Sequence, residues 1–407
     1  MIELKRKEDC CGCSACMSIC PKQCIVMKED EEGFLYPRIN ADNCINCHLC
    51  EKVCPSLNRV PANAEKTEVI AARCANDNLR MQSTSGGIFT LLAEKIISEG
   101  GVVFGARWNE DFTAVIHDFT ETFDGLAAFR GSKYLQSVIG NNFVKAKQFL
   151  LAGRQVLFTG TPCQIAGLKR FLVKKFNNLL AVEVACHAVP SPMAWRKYYL
   201  AICDNEKIKT KNTTNVSFRK RVVAGTEIET HFCIEQDDKI YADAKYYNYP
   251  FGKAFLGMQI TRPSCHKCPG KEGLSGADIT LGDFWNIKAI DPQINVGEGI
   301  SAVIAWSENG RFFLNAIKQK LSININSSFE IAAVGNGGIR PHASHWKMND
   351  NRFLKELNSL NDVAQIYKLF KTKTRASFKQ WLKSCLISTA RKVCIFCLIK
   401  KIREKQI

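Results

Sequence analysis

Short apolar runs divide this chain into elements before any single residue type does. "VIAARCA" (69–75), "VVFGAR" (102–107), "TAVIHDF" (113–119), "QVLF" (155–158) and "LLAVEVAC" (179–186) are apolar stretches, several of them β-branched, set between polar or glycine-bearing segments. That is the pattern of strands. Between them, "GGIFTLLAEKIISEG" (86–100), "FVKAKQFLLAG" (143–153) and "CQIAGLKRFLVKKF" (163–176) place apolar residues three and four apart. The first two stop at glycine, as helices often do. "DITLGDFW" (278–285) and "SAVIAWS" (301–307) read as further strands. The alternation predicts an α/β or α+β body rather than a helical bundle. "PANAEK" (61–66) is small and polar, and reads as a linker.

One repeat stands out ahead of that body. Cys10-x2-Cys13-x2-Cys16-x3-Cys20-Pro21 recurs as Cys44-x2-Cys47-x2-Cys50-x3-Cys54-Pro55. Three thiolates at two-residue gaps wrap one corner of a four-iron cube, and the fourth, a helical turn further on, reaches the other cube of a two-cluster ferredoxin. The predicted sets are Cys10, Cys13 and Cys16 with Cys54, and Cys44, Cys47 and Cys50 with Cys20. Cys11 and Cys24 are left over. Zinc also takes four thiolates, but its modules separate two Cys-x2-Cys pairs by a longer loop. Residues 1–60 therefore read as a bacterial-type ferredoxin module with two [4Fe-4S] clusters.

Composition adds a location and a tail. The chain has 407 residues and twenty cysteines. It has no run long enough to span a bilayer and no apolar stretch behind its charged N-terminus. Cysteine clusters in such a protein are expected in the reducing cytoplasm, where they bind metal or carry out redox work. The net charge of +17 is uneven: residues 1–60 are close to neutral, whereas 371–407 hold eleven Lys/Arg and one acid. Within 376–407, Phe378, Trp381, Leu382, Leu386, Val393 and Phe396 lie near helical spacing. This basic amphipathic tail (371–407) suits peripheral contact with a membrane surface or a partner protein; the plain alternative is a solvated terminal helix. A nucleic-acid arm is not expected, since such arms are polar between their charges.

Two loops in the body have the chemistry to hold phosphate. "STSGGIF" (83–89) precedes one helix, and "TGTPCQ" (159–164) precedes another, with Thr161 as cap and Pro162 at the first position. Free N–H groups at a helix start suit a cofactor pyrophosphate; they equally suit nothing beyond good capping. Neither loop has the G-x-G-x-x-G fingerprint. Cys163 and Cys186 stand at predicted strand ends, and Cys265-x2-Cys268 sits in the Pro/Gly-rich "RPSCHKCPG". By spacing alone these four either meet as one thiolate site or include ordinary buried cysteines.

"STSGGIFTLLA", "GSKYLQS" (131–137), "LFTGTPCQIAGL", "ACHAVPS", "RPSCHKCP" and "ADITLGDFW" (277–285) occur in this order. In that order they resemble the coenzyme F-420 hydrogenase/dehydrogenase beta-subunit family of iron–sulfur flavoproteins. The resemblance implies a body in two parts, 67–150 and 151–330, which carries FAD and a third [4Fe-4S] cluster ligated by Cys163, Cys186, Cys265 and Cys268. It also implies that Thr84, Ser85, Gly86, Gly87, Lys133 and Tyr134 line the flavin, with Gly160 and Thr161 as further candidate contacts. Ala188 and His266 depart from the glycine and the aromatic residue common in the family, and its aromatic-rich segment is not evident after Phe218-Arg219.

The expected activity is oxidoreduction. Clusters pass single electrons, and a flavin converts them to pairs for a small organic substrate. The alternative is an electron-transfer subunit that relays electrons between a redox donor, such as a ferredoxin, and a partner oxidoreductase. A third reading, structural zinc without redox chemistry, would lack flavin and iron. His117 and His187 are conceivable proton donors, but no catalytic residue is assigned.

Overall fold

The computed structural model describes residues 2–3, 5–60, 67–225, 227–237, 239–245, 247–340 and 352–374. The expected linker at 61–66 and the amphipathic segment 376–407 lie outside the described residues.

Short elements build the N-terminal module: helix α1 (Ala15–Ile19), strands β1 (Ile25–Glu29) and β2 (Leu35–Ile39), and helix α2 (Leu49–Lys52). The two strands pair antiparallel, from Ile25↔Ile39 to Glu29↔Leu35. Each helix starts within one cysteine run, so the third and fourth cysteines lie on or just after a helical turn.

The body opens with β3 (Glu68–Cys74), α3 (Asp77–Met81), α4 (Ile88–Ser98), β4 (Val102–Trp108), β5 (Val115–Thr120) and α5 (Asn142–Leu151). It continues through β6 (Val156–Gly160), α6 (Pro162–Leu172), β7 (Leu179–Val184) and α7 (Pro192–Asn205). Strands β8 (Thr213–Ala224), β9 (Glu227–Gln236) and β10 (Lys239–Lys245) follow, then α8 (Pro250–Leu256), β11 (Ile279–Asp283) and β12 (Ser301–Ala305). The last elements are α9 (Glu308–Ile317), β13 (Leu321–Ser327), α10 (Phe329–Ala333), α11 (Arg352–Ser359) and α12 (Val363–Lys373).

Eight strands form one mixed sheet in the order β13-β3-β12-β11-β7-β6-β4-β5. Strands β4, β6, β7 and β11 run parallel, while β5, β12 and β13 are antiparallel to their neighbours. The central strands are almost fully buried, with β6 and β12 buried at every position. Helices cover both faces, which is why these strands read as continuous apolar runs rather than alternating ones. Strand β3 is antiparallel to β12, which is antiparallel to β11, so β3 points the same way as the parallel set. The carboxyl ends of β3, β4, β6, β7 and β11 therefore share one edge. Open α/β sheets place their ligands outside that edge.

Strands β8–β10 form a separate antiparallel sheet. It packs against α7, α8 and α12 around a ring cluster of Trp195, Tyr198, Phe218, Phe232, Tyr249 and Phe251. Phe232 and Tyr249 stack at 4.3 Å between centroids, and Trp195 meets Phe218 edge-on at 4.9 Å. No helix among the described residues is long and apolar enough to cross a membrane.

Candidate iron–sulfur and flavin site

The eight cysteines of the N-terminal repeat separate into two groups in space. Cys16 lies within electrostatic reach of Cys10 and Cys54, and Cys13 within reach of Cys16 and Cys54. Cys13, Cys16, Cys50 and Cys54 are buried, whereas Cys47 is exposed. A small hollow of about 20 Å³ is lined by Cys20, Cys44, Cys47 and Cys50, with Cys24, Ile39 and Ile45 beside them. Cys16 is also within reach of Cys50, so the two groups lie close to each other. The leftover Cys24 comes to 3.4 Å from Cys20, and the leftover Cys11 is buried against the body. Burial pushes the Cys16 thiol up to about 12. A bare thiolate is costly there, so positive iron would replace protons on binding.

The four cysteines of the body come from three places on the carboxyl edge. Cys163 follows Pro162 in the first turn of α6, Cys186 lies two residues beyond β7, and Cys265 and Cys268 bracket a tight turn after Arg262. Cys186 senses Cys265, Cys163 and Cys268, and the last two sense each other, so the four thiols form one electrostatic group. Contact with Cys11 and burial raise the Cys163 thiol, and burial lifts Cys265 to about 12 and Cys268 to about 11. The Val189 N–H donates to Cys265 Sγ at 3.4 Å. Among the described residues, no three His, Cys, Asp or Glu side chains converge where one ion could sit. Ligands around a four-iron cube stand further apart than ligands around a single ion.

The local fold fixes Cys163. The Thr161 N–H donates to Gln164 Oε1 at 3.0 Å, a capping arrangement that, with Pro162 at the first position, starts α6 where the sequence predicts. Thr161 Oγ1 lies 3.2 Å from Cys163 Sγ, and Gly160 closes β6 just before it. Gly160 and Thr161 thus neighbour the cysteine group.

The other predicted flavin contacts gather around a different loop. Thr84 Oγ1 accepts from the Ser132 N–H at 2.9 Å, bringing "STSGG" against "GSKY". The Ser85 hydroxyl donates to Ile300 O at 3.0 Å, the Gly86 N–H donates to Ser301 Oγ at 2.9 Å, and Gly87 caps α4. Lys133 Nζ donates to Ala128 O (2.8 Å) and Arg130 O (2.7 Å), and burial lowers its pKa to about 7. Tyr134 packs its ring on Phe218 and Phe255.

Next to Thr84 opens a cavity of about 250 Å³, lined by Arg219, Arg221, Lys245, Tyr247 and Trp285 among others. Arg221 Nη2 donates to Thr84 O and Ser85 O, and Nη1 to Arg80 O and Glu298 O. Its buried Nε has no partner among the described residues. Arg219 pairs with Asp283 at 2.7 Å and lies over the Trp285 ring. Sequence reasoning passed over Arg219 and Arg221. They lie on β8, whose mixed charge gave no strand signal in the sequence.

His117 is engaged on both sides: Nε2 donates to Thr159 O at 2.9 Å, and Nδ1 lies 2.9 Å from Ser137 Oγ. Burial lowers its pKa to about 4, so it is neutral at physiological pH. His187 packs edge-on against Phe255 beside the cysteine group.

Residues 153–328 match the family described as the C terminus of the coenzyme F420 hydrogenase/dehydrogenase beta subunit, and residues 9–58 match the 4Fe-4S dicluster domain. Residues 153–328 thus carry the C-terminal domain of that beta-subunit family, with a dicluster domain in front. The chain is an iron–sulfur electron-transfer protein of an oxidoreductase family. A chain from the F420-reducing [NiFe] hydrogenase complex of Methanosarcina barkeri, in a xenon-derivatised structure, is similar at 14% identity and a TM-score of 0.44. That match covers 77% of this chain and 91% of the other. A comparison with curated proteins returned no match.

Proposed function

We propose that this protein is a self-contained iron–sulfur flavoprotein oxidoreductase. Two [4Fe-4S] clusters sit in residues 1–60, a third is held by Cys163, Cys186, Cys265 and Cys268, and FAD occupies the carboxyl edge of the sheet. The observation that carries this reading is the gathering of four thiols from three separate segments beside the dicluster module. When bound, FAD supplies the conversion between single electrons and the pairs an organic substrate needs.

The chain's own residues suit these groups. Thr84, Arg221 and Lys245 would hold anionic phosphate, and Trp285 and Tyr247 would offer ring faces. Lys133, with its lowered pKa, is the cation in the loop against Thr84 whose charge responds near neutral pH. The exposed Cys47 end of the module would meet an external one-electron donor. The buried Cys10–Cys54 end faces the body.

The family description as a beta subunit favours a second reading, in which the reduced flavin is drained by a partner enzyme rather than by a substrate of its own. Turnover of a small electron acceptor by the isolated chain separates the two.

Anaerobic reduction with a one-electron donor, followed by absorbance, tests the route. The flavin band should bleach in the unaltered protein. In Cys163→Ser the module should still accept electrons while the flavin stays oxidised. Bleaching at an unchanged rate in that variant would refute the body site, and a flavin-free protein would refute the flavin.

A further inference from the structure

Arg262 joins the N-terminal module to the body. Its side chain is fully buried, three residues ahead of Cys265. Nε donates to Cys10 O at 2.8 Å, Nη1 to Gln136 Oε1 at 2.8 Å, and Nη2 to Leu35 O at 2.9 Å. The guanidinium lies over the ring of Tyr36 at 4.3 Å and that of Phe34 at 5.5 Å. Gln136 extends the network by donating to Cys11 O at 2.9 Å, and the Cys11 thiol in turn contacts Cys163. Among the described residues no carboxylate pairs with Arg262. The ionisable groups whose negative charge would act on it most are the Cys10, Cys11 and Cys265 thiols and the Tyr36 phenol. A buried cation without an anion is costly. Thiolate-ligated cubes on either side would supply that anion.

We propose that Arg262 is a positioning residue whose fixed charge serves two iron–sulfur sites at once. One is the site of Cys10, Cys13, Cys16 and Cys54; the other is that of Cys163, Cys186, Cys265 and Cys268. The charge raises the reduction potential of both and leaves the outer site of Cys20, Cys44, Cys47 and Cys50 unaffected. The inference rests on the cluster assignment proposed above. Each reduction moves one electron from the donor onto a site that is already anionic, and no proton is taken up at Arg262, because a guanidinium stays charged. Water cannot screen a fully buried cation. At an effective dielectric of about 20, a unit charge within about 10 Å changes a one-electron equilibrium on the order of tenfold. Electrons that enter at the exposed end are thereby drawn inward.

The test is an EPR-monitored redox titration of the iron-loaded full chain, with iron counted in every sample. In Arg262→Gln the two inner sites should be harder to reduce, by on the order of tenfold in the reduced-to-oxidised ratio at fixed potential, with the outer site unmoved. Arg262→Lys keeps the charge and should keep the potentials. Gln136→Glu leaves Arg262 in place and sets a carboxylate against it, so it should act like Arg262→Gln even if that variant does not fold. Inner potentials unmoved at about twelve irons per chain would overturn the role of Arg262, as would an equal shift in Arg262→Lys and Arg262→Gln. About eight irons in the unaltered protein would instead overturn the body site, and with it the claim of a shared charge.

Discussion

At the residue scale, two positions show how closely the module and the body fit. Gly12 has φ +68°, and a Cβ there would lie 2.6 Å from Gln136 Nε2 and 2.8 Å from Arg262 Nη1. Gly12→Ala should therefore cost about 1–3 kcal/mol from the left-handed backbone alone, with the clash added to it. Chemical denaturation of the iron-loaded protein would read that loss; an unchanged midpoint would mean the guanidinium network is not as tight as its distances. Glu183 is buried on β7, where it accepts from Ser275 Oγ (2.5 Å) and Thr280 Oγ1 (2.6 Å), yet burial raises its pKa from 4.5 to about 7. The folded state holds this proton more tightly than the unfolded chain does. Its contribution is thus complete below about pH 4.5 and is lost as pH rises through 7, on the order of 3 kcal/mol in all. Glu183→Gln should flatten the stability profile between those limits. A variant profile parallel to that of the unaltered protein would contradict the assignment.

At the scale of elements, α6 connects the module to the sheet. Its Gly167 lies against α1: a Cβ there would come within 2.8 Å of Cys13 Cβ and 2.9 Å of Cys13 Sγ. Gly167→Leu should push the module off the body and lower the iron content while the eight-stranded sheet stays folded. Iron analysis with far-ultraviolet dichroism measures both; full iron loading in that variant would show that α1 and α6 can separate without harm. Elements buried on both faces were legible from sequence: β3, β4, β6, β7, β11 and β12 carry continuous apolar runs, and α4, α5 and α6 carry helical spacing. Strands β8–β10 were not, because "TTNVSFRKRVVA" mixes charge into both faces of a partly exposed ribbon. Strand β13 alternates strictly in burial along "LSININS", a readable signal that the longer apolar runs overshadowed. Helix α7 carried its own start signal, Ser191 as cap before Pro192. The dicluster domain was legible because the spacing of its two cysteine runs is dictated by cluster geometry; the four body cysteines had no such spacing. Arg262 was not legible, since a lone arginine in a loop declares nothing until the chain folds around it.

At the scale of the whole molecule, the architecture orders the cysteine groups and the Arg221-lined cavity in space. The exposed Cys47 end lies outermost, the Cys10–Cys54 group is buried against α6, the body thiols gather on the carboxyl edge of the sheet, and the Arg221-lined cavity opens at the same edge. That order is the account's central claim, and it requires a defined inventory. Anaerobic purification followed by iron, sulfide, zinc and flavin analysis per chain tests it most directly. The account predicts about twelve irons and one flavin, the sum for three four-iron clusters and FAD; about eight irons, or zinc without flavin, would contradict it.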